Sequence, residues 1–233
     1  MNSPVPYFSD ALQSLLAREA DRAVETHDEF IGRAIAARLV QTLAARKDPF
    51  LDDLLEQLAA AHLLPGFSGS PALHDPHRLQ TLVSTGLLDA SPDDGYHRLV
   101  SLAAEALAAP IAAIVLIDAH RGVFLSEVGL PEGSLSSRQM SLEHSISQYV
   151  VTSGVPLIIR DARVDPEFRD HPIVRGGFLV AYLGIPLTSV EGDTIGALCV
   201  GDQRRRNWAI GHIETLNNLA RVVAERMFGE PIT

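Results

Sequence analysis

The chain has 233 residues, 46% hydrophobic and 21% charged, with a formal net charge of −10. This composition suits one large globular domain, or an ordinary domain with an appendage, and the acidic balance argues against a nucleic-acid surface. A lone cysteine, Cys199, excludes an intramolecular disulfide and a cysteine-based metal cluster.

The first residues lack the basic and apolar blocks of a signal peptide, and no apolar run approaches the ~20 residues of a membrane span. A cytoplasmic protein is expected. Residues 1–66 read as a helical segment. Ser9 caps a run carrying Leu12, Leu15, Leu16, Ala20 and Val24 at helical spacing, and Phe30, Ile31, Ile35, Leu39 and Leu43 form a second stripe. Asp48-Pro49 supplies an N-cap and first-turn proline for a third stripe, Leu51, Leu54, Leu55, Leu58 and Leu63. Each buried leucine is worth ~1.5–3 kcal/mol. The stripes are therefore expected to face one another, the following domain, or a second copy of the chain in a homodimer. Pro65-Gly66 and Gly69-Ser70-Pro71 mark the boundary with a second domain over 73–230.

In that domain, His77–Leu88 and Tyr96–Ala108 read as amphipathic helices joined by an Asp-rich loop and cap. Ile111–Asp118 is a buried strand by length and β-branching, and Val123–Val128 returns beside it. A loop runs from Gly129 to Met140. A helix is expected from Ser141 or Leu142 to about Thr152, stopped by Gly154. Val155–Arg160 is a strand, and Asp161–Gly177 is a long connection with a helical turn near Glu167–Asp170. Connections of that length inside compact domains are more often functional than not. Phe178–Ser189 and Thr194–Asp202 form a hairpin around Glu191-Gly192-Asp193. Arg204-Arg205-Arg206 is a solvated loop, and Trp208–Met227 is the last helix.

This α+β order, an antiparallel central sheet flanked by helices and preceded by a helical segment, resembles the GAF domain, a small-molecule sensor fold. The resemblance is carried by Ala109-Pro110-Ile-Ala-Ala-Ile-Val-Leu-Ile-Asp118, Phe124-Leu-Ser-Glu-Val-Gly129 and Ser141-Leu-Glu-His-Ser145. It continues through Pro156-Leu-Ile-Ile-Arg-Asp-Ala-Arg163, Tyr182-Leu-Gly-Ile-Pro-Leu187 and Gly196-Ala-Leu-Cys-Val-Gly-Asp202. It implies a small, unnamed ligand held between one sheet face and the segments 129–148 and 161–177. It also implies a role in signal transduction, with a signalling partner protein and no catalytic output module visible after the last helix.

The candidate ligand contacts are Ser141, His144, Ser145, Gln148, Asp161 and Arg163, with Phe124, Phe178 and Tyr182 as walls. On the expected helix, His144 and Gln148 share one face. Each has a structural alternative: Ser141 as a helix cap, His144 bonding a nearby carbonyl, Gln148 in solvent, Asp161 and Arg163 as an ion pair anchoring the loop, and the aromatics as core. A ligand-free scaffold is the second reading, in which Phe168, Phe178 or Tyr182 fills the pocket.

Three sharper chemistries fit poorly. Glu143 precedes His144 where the resembled bilin-binding domains carry a thiol. Free methionine sulfoxide reductases share the fold, but their resembled chemistry passes through a disulfide that one cysteine cannot form. Haem would rest on His144 alone. His74 and His77 flank Asp75 without a recognisable third metal ligand, and no phosphate-cradling loop or nucleophile elbow is present. The expectation is a sensor, not an enzyme.

Overall fold

Seven consecutive apolar residues, Ile111–Ile117, make a strand that suits only the middle of a sheet covered on both faces. The computed structural model places this strand, β1, between β2 (Arg121–Val128) and β6 (Thr194–Asp202). It describes residues 71–91, 93–130 and 138–229, together with the isolated helical positions Gln13, Leu16, Ile31, Gly32, Ile35 and Leu39. The remainder of the three predicted N-terminal stripes lies outside the described residues. The chain divides into two compact units, residues 1–65 with 70–72 and residues 66–69 with 73–233, and the second holds the sheet.

The remaining strands are β3 (Gln139–Ser141), β4 (Leu157–Ile159) and β5 (Ala181–Thr188). The order is β3-β2-β1-β6-β5-β4, and every neighbouring pair is antiparallel. Three longer helices serve the sheet: α1 (Pro76–Ser84), α2 (Asp94–Ala106) and α5 (Ile210–Phe228). Helix α2 packs on β1 and β2, α5 on β5 and β6, and the two touch each other. Arg226 of α5 joins them by bonding Asp93, the N-cap of α2, at 2.9 Å while lying over the Tyr96 ring.

The opposite face carries α3 (Ser147–Ser153), which contacts β1, β5 and β6, and the connection containing the short α4 (Pro172–Arg175). Because strand side chains alternate, Ala113, Val115 and Ile117 of β1 serve this face with Phe124, Tyr182, Ala197 and Cys199. Phe124 reaches it through a β-bulge. Register steps from Ile114–Ser126 to Val115–Phe124, leaving Leu125 as the extra residue. The Arg138 guanidinium holds the bulge by donating to the carbonyls of Phe124 at 3.0 Å and Leu125 at 3.3 Å.

Two segments depart from expectation. Ser141 does not open a helix through Thr152. It closes β3, paired with Arg121, and residues Leu142–His144 make one 3-10 turn before α3 begins at Ser147. The strand is too short to carry a readable alternation, so the Ser-Leu-Glu run looks like a helix start. Within the long connection, hydrogen-bonded turns cover 166–170, and the helix proper is α4, where His171 and Pro172 provide the N-cap and first position.

One feature had no sequence signal. Arg78 of α1 is buried, and its guanidinium donates to the carbonyls of Ile117 at 2.7 Å and Leu73 at 2.5 Å. Burial lowers its pKa, against the neighbouring carboxylates Asp75, Asp118 and Asp193.

Candidate ligand-binding site

The α3 face of the sheet is mostly apolar, with a small set of polar groups placed at defined depths. Deepest is a chain linking three elements. Tyr182 on β5 lies 3.0 Å from Ser147 Oγ at the start of α3, and Ser147 Oγ lies 3.9 Å from Cys199 Sγ on β6. The Cys199 thiol donates to the Ala113 carbonyl at 3.5 Å. One direction, Tyr182 to Ser147 to Cys199 to Ala113, gives each donor an acceptor. Burial pushes the Cys199 thiol up to about 11 and the Tyr182 phenol well above its ordinary value. A thiol so protonated is neither a nucleophile nor a metal ligand at neutral pH.

The connection crosses the 3-10 turn, where α4 lies against residues 142–144, and each of these two segments buries a polar side chain, Ser145 after the turn and His171 before α4. Ser145 is 1% exposed, and its hydroxyl has no hydrogen-bond partner among the described residues. His171 is 7% exposed, and its Nδ1 accepts the Ile173 amide at 3.4 Å. That bond leaves the proton on Nε2, which is buried without an acceptor. Burial, with His144 nearby, lowers the His171 pKa to about 4, so the ring is neutral. Around it, the Tyr149 ring centroid lies 6.1 Å from that of His171 and 5.0 Å from that of Phe168, in edge geometry.

The sequence-predicted residues separate into two groups. Ser145, Gln148, Phe124 and Tyr182 are buried on this face of the domain. Gln148 is 0% exposed, so the solvent-facing alternative is excluded; its Nε2 donates to the Leu142 carbonyl at 2.5 Å. His144 and Gln148 do not share a helix face, because His144 ends the 3-10 turn and Gln148 belongs to α3. His144 is exposed and its Nδ1 sits 2.8 Å from Ser141 Oγ.

Phe178 is not a wall: it is 54% exposed, displaced outward where the connection rejoins β5. Asp161 and Arg163 form a two-point ion pair at 2.8 and 2.6 Å, the structural alternative. The Arg163 hydrogen bonds hold the Asp161 carboxyl below its ordinary value. Arg206 is likewise not a free cation. It bonds Asp202 at 2.7 Å and the Ala108 carbonyl, and lies over the Trp208 ring.

Sequence reasoning passed over Ser147 and His171. The His-Pro pair was a readable signal, since a polar residue before a first-turn proline marks an N-cap. Nothing local shows that the same imidazole buries its second nitrogen.

The antiparallel sheet and the helices that flank it agree with the family resemblance. The GAF domain profile matches residues 91–227. The chain belongs to the GAF domain family. Over 160 residues it is 32% identical to a cyclic di-GMP phosphodiesterase of Pseudomonas aeruginosa. That stretch is 67% of this chain and 26% of the relative, so this GAF protein spans about a quarter of that enzyme.

Among solved structures, the GAF domain from an Acinetobacter phosphoenolpyruvate-protein phosphotransferase superposes with a TM-score of 0.49 at 18% identity. The overlap covers 66% of this chain and 94% of that one. The type II free methionine-R-sulfoxide reductase from Thermoplasma acidophilum gives 0.47 at 12% identity, over 58% and 93%. Among the described residues of this GAF protein, no helix is long and apolar enough to cross a membrane.

Proposed function

We propose that this protein is a cytoplasmic GAF sensor that binds a small molecule between the α3 face of its sheet and the 161–177 connection, without catalysis of its own. The observation that carries the reading is that two polar atoms, Ser145 Oγ and His171 Nε2, are buried without a partner among the described residues, the second beside the Tyr149 ring. Leaving such groups unsatisfied costs ~1–3 kcal/mol each, and native structures rarely do so without water or a ligand. The ligand would present an oxygen or nitrogen acceptor to His171 and a hydroxyl-compatible group to Ser145, beside the rings of Tyr149 and Phe168. The likeness to part of a cyclic di-GMP phosphodiesterase supports a setting in nucleotide signalling.

The absence of a catalytic step is part of the proposal, supported by the protonated, buried state of Cys199. Binding would fasten the connection over α3 and bias the packing of α1 and α5. Coupling of this kind amounts to ~1–3 kcal/mol, set by the ligand's differential affinity for the two states. A signalling partner, or the second copy in a homodimer, would read that shift.

A second reading, a ligand-free scaffold for dimerisation or docking, draws support from Phe168 and Tyr182, both buried on the site face. Native mass spectrometry and a visible spectrum of freshly purified protein, then thermal shifts with nucleotides, tetrapyrroles and metabolites, separate the two. A co-purified mass, or a melting rise that weakens in His171→Phe, supports the sensor. No bound mass and no shift across the panel favours the scaffold.

A further inference from the structure

We infer that His77, Glu191 and Asp193 form a site for a divalent transition-metal ion, of the kind zinc occupies, clamping helix α1 to the β5–β6 turn. The inference is independent of the ligand proposed above, because these residues belong to neither α3 nor the 161–177 connection.

His77 stands in the first turn of α1, while Glu191 and Asp193 flank Gly192 in the turn between β5 and β6. Gly192 has φ +98°, a left-handed conformation that keeps this turn tight. One ligand atom from each of the three side chains lies within 4.8 Å of the others. His77 Nδ1 is already 2.7 Å from Asp193 Oδ2, and Thr81, one helical turn onward, donates its hydroxyl to the same oxygen at 2.5 Å. That second contact orients the carboxylate in the way outer hydrogen bonds orient metal ligands.

The donor set decides the class of ion. One imidazole nitrogen with two carboxylates suits zinc-like ions, with a fourth position left for water. Magnesium and calcium prefer oxygen ligands throughout. Bound ligand atoms of a tetrahedral ion sit about 3.3 Å apart. The side chains of His77 and Glu191 are exposed, which leaves them room to adjust towards that spacing. An entering ion takes the place of the His77–Asp193 hydrogen bond, and any proton held there leaves to solvent.

The surrounding charge is compatible. Arg78 interacts with Asp193, yet its guanidinium is turned inward onto the carbonyls of Ile117 and Leu73. Asp75 and Asp118 balance its charge. His74 and His120, a described histidine pair in ring contact at 6.1 Å, lie outside the cluster and give a built-in control.

The test titrates Zn2+ into the chelator-stripped full chain by calorimetry, with Co2+ absorption as a second readout. The expected result is one tight Zn2+ per chain, weakened about tenfold or more in both His77→Ala and Glu191→Ala and unchanged in His120→Ala. Co2+ should give visible d–d bands that disappear in His77→Ala. Both ligand positions are exposed, so these variants keep the fold. Unchanged Zn2+ affinity in the two ligand variants, or neither heat nor colour with the parent protein, overturns the inference.

Discussion

Protonating His171 should destabilise this domain measurably. The ring is neutral in the folded protein, with its pKa lowered to about 4 by burial and by His144. Unfolded, it titrates near 6.5. The unfolded chain therefore binds the proton more tightly, and stability falls as pH falls through this window. The contribution is fully present above pH 6.5, declines towards pH 4, and is gone below it. At ~1.4 kcal/mol per pH unit, the interval amounts to about 3 kcal/mol.

The comparison protein is His171→Asn. Asparagine is a good N-cap, so its carbonyl oxygen can take over the Ile173 amide, yet it does not titrate. Urea unfolding of both proteins between pH 7.5 and pH 4 isolates the histidine from the carboxylates that titrate alongside. The parent should lose about 3 kcal/mol more than the variant across that range. Parallel pH profiles would refute the buried, neutral assignment, and with it the argument that Nε2 is a donor awaiting an acceptor.

Other substitutions probe the frame around the site. At Gly129, φ is +78° and an added Cβ would lie 1.7 Å from the Pro110 carbonyl oxygen, so Gly129→Ala should cost about 3 kcal/mol or more. A melting temperature within a degree of the parent would show that the β2 end is looser than described. Arg78→Met strips the donors from the Ile117 and Leu73 carbonyls and leaves Asp75, Asp118 and Asp193 without their shared cation. A loss of about 3–5 kcal/mol is expected in chemical denaturation, and full stability in the variant would contradict it. Cys199, with its pKa near 11 and its sulfur buried, should resist a disulfide reagent at pH 8 until denaturant is added. Labelling of the native protein at the speed of a free thiol would remove the case for a purely packed cysteine.

Much of the sheet was readable residue by residue. Ile111–Ile117 and Thr194–Asp202 are β-rich and flanked by turn formers, so their conformation follows from local chemistry and simple burial. Asp93 and Gly154 punctuate α2 and α3 for equally local reasons, one accepting first-turn amides and the other adopting φ +65°. The segment 139–144 was misread because the three strand residues Gln139–Ser141 are held by pairing with residues 121–123 of β2, not by their own preferences. Phe178 was misplaced because an aromatic residue beside a strand carries no signal for which way its side chain turns.

The amino-acid order alone thus determined most of the helices and strands of the second domain, because periodicity, caps and turns act over a few residues, and the resemblance carried by its motifs pointed to the GAF fold. Long-range packing decided everything that gives the site its chemistry. It buried Ser145 Oγ and His171 Nε2 without partners among the described residues, joined Tyr182, Ser147 and Cys199 in one hydrogen-bonded chain, and set His77 beside Asp193. It also folded Arg78 inward onto two carbonyls. Each of these depends on which polar atoms the core shuts away from water, a property of the assembled layers that no single stretch of chain possesses.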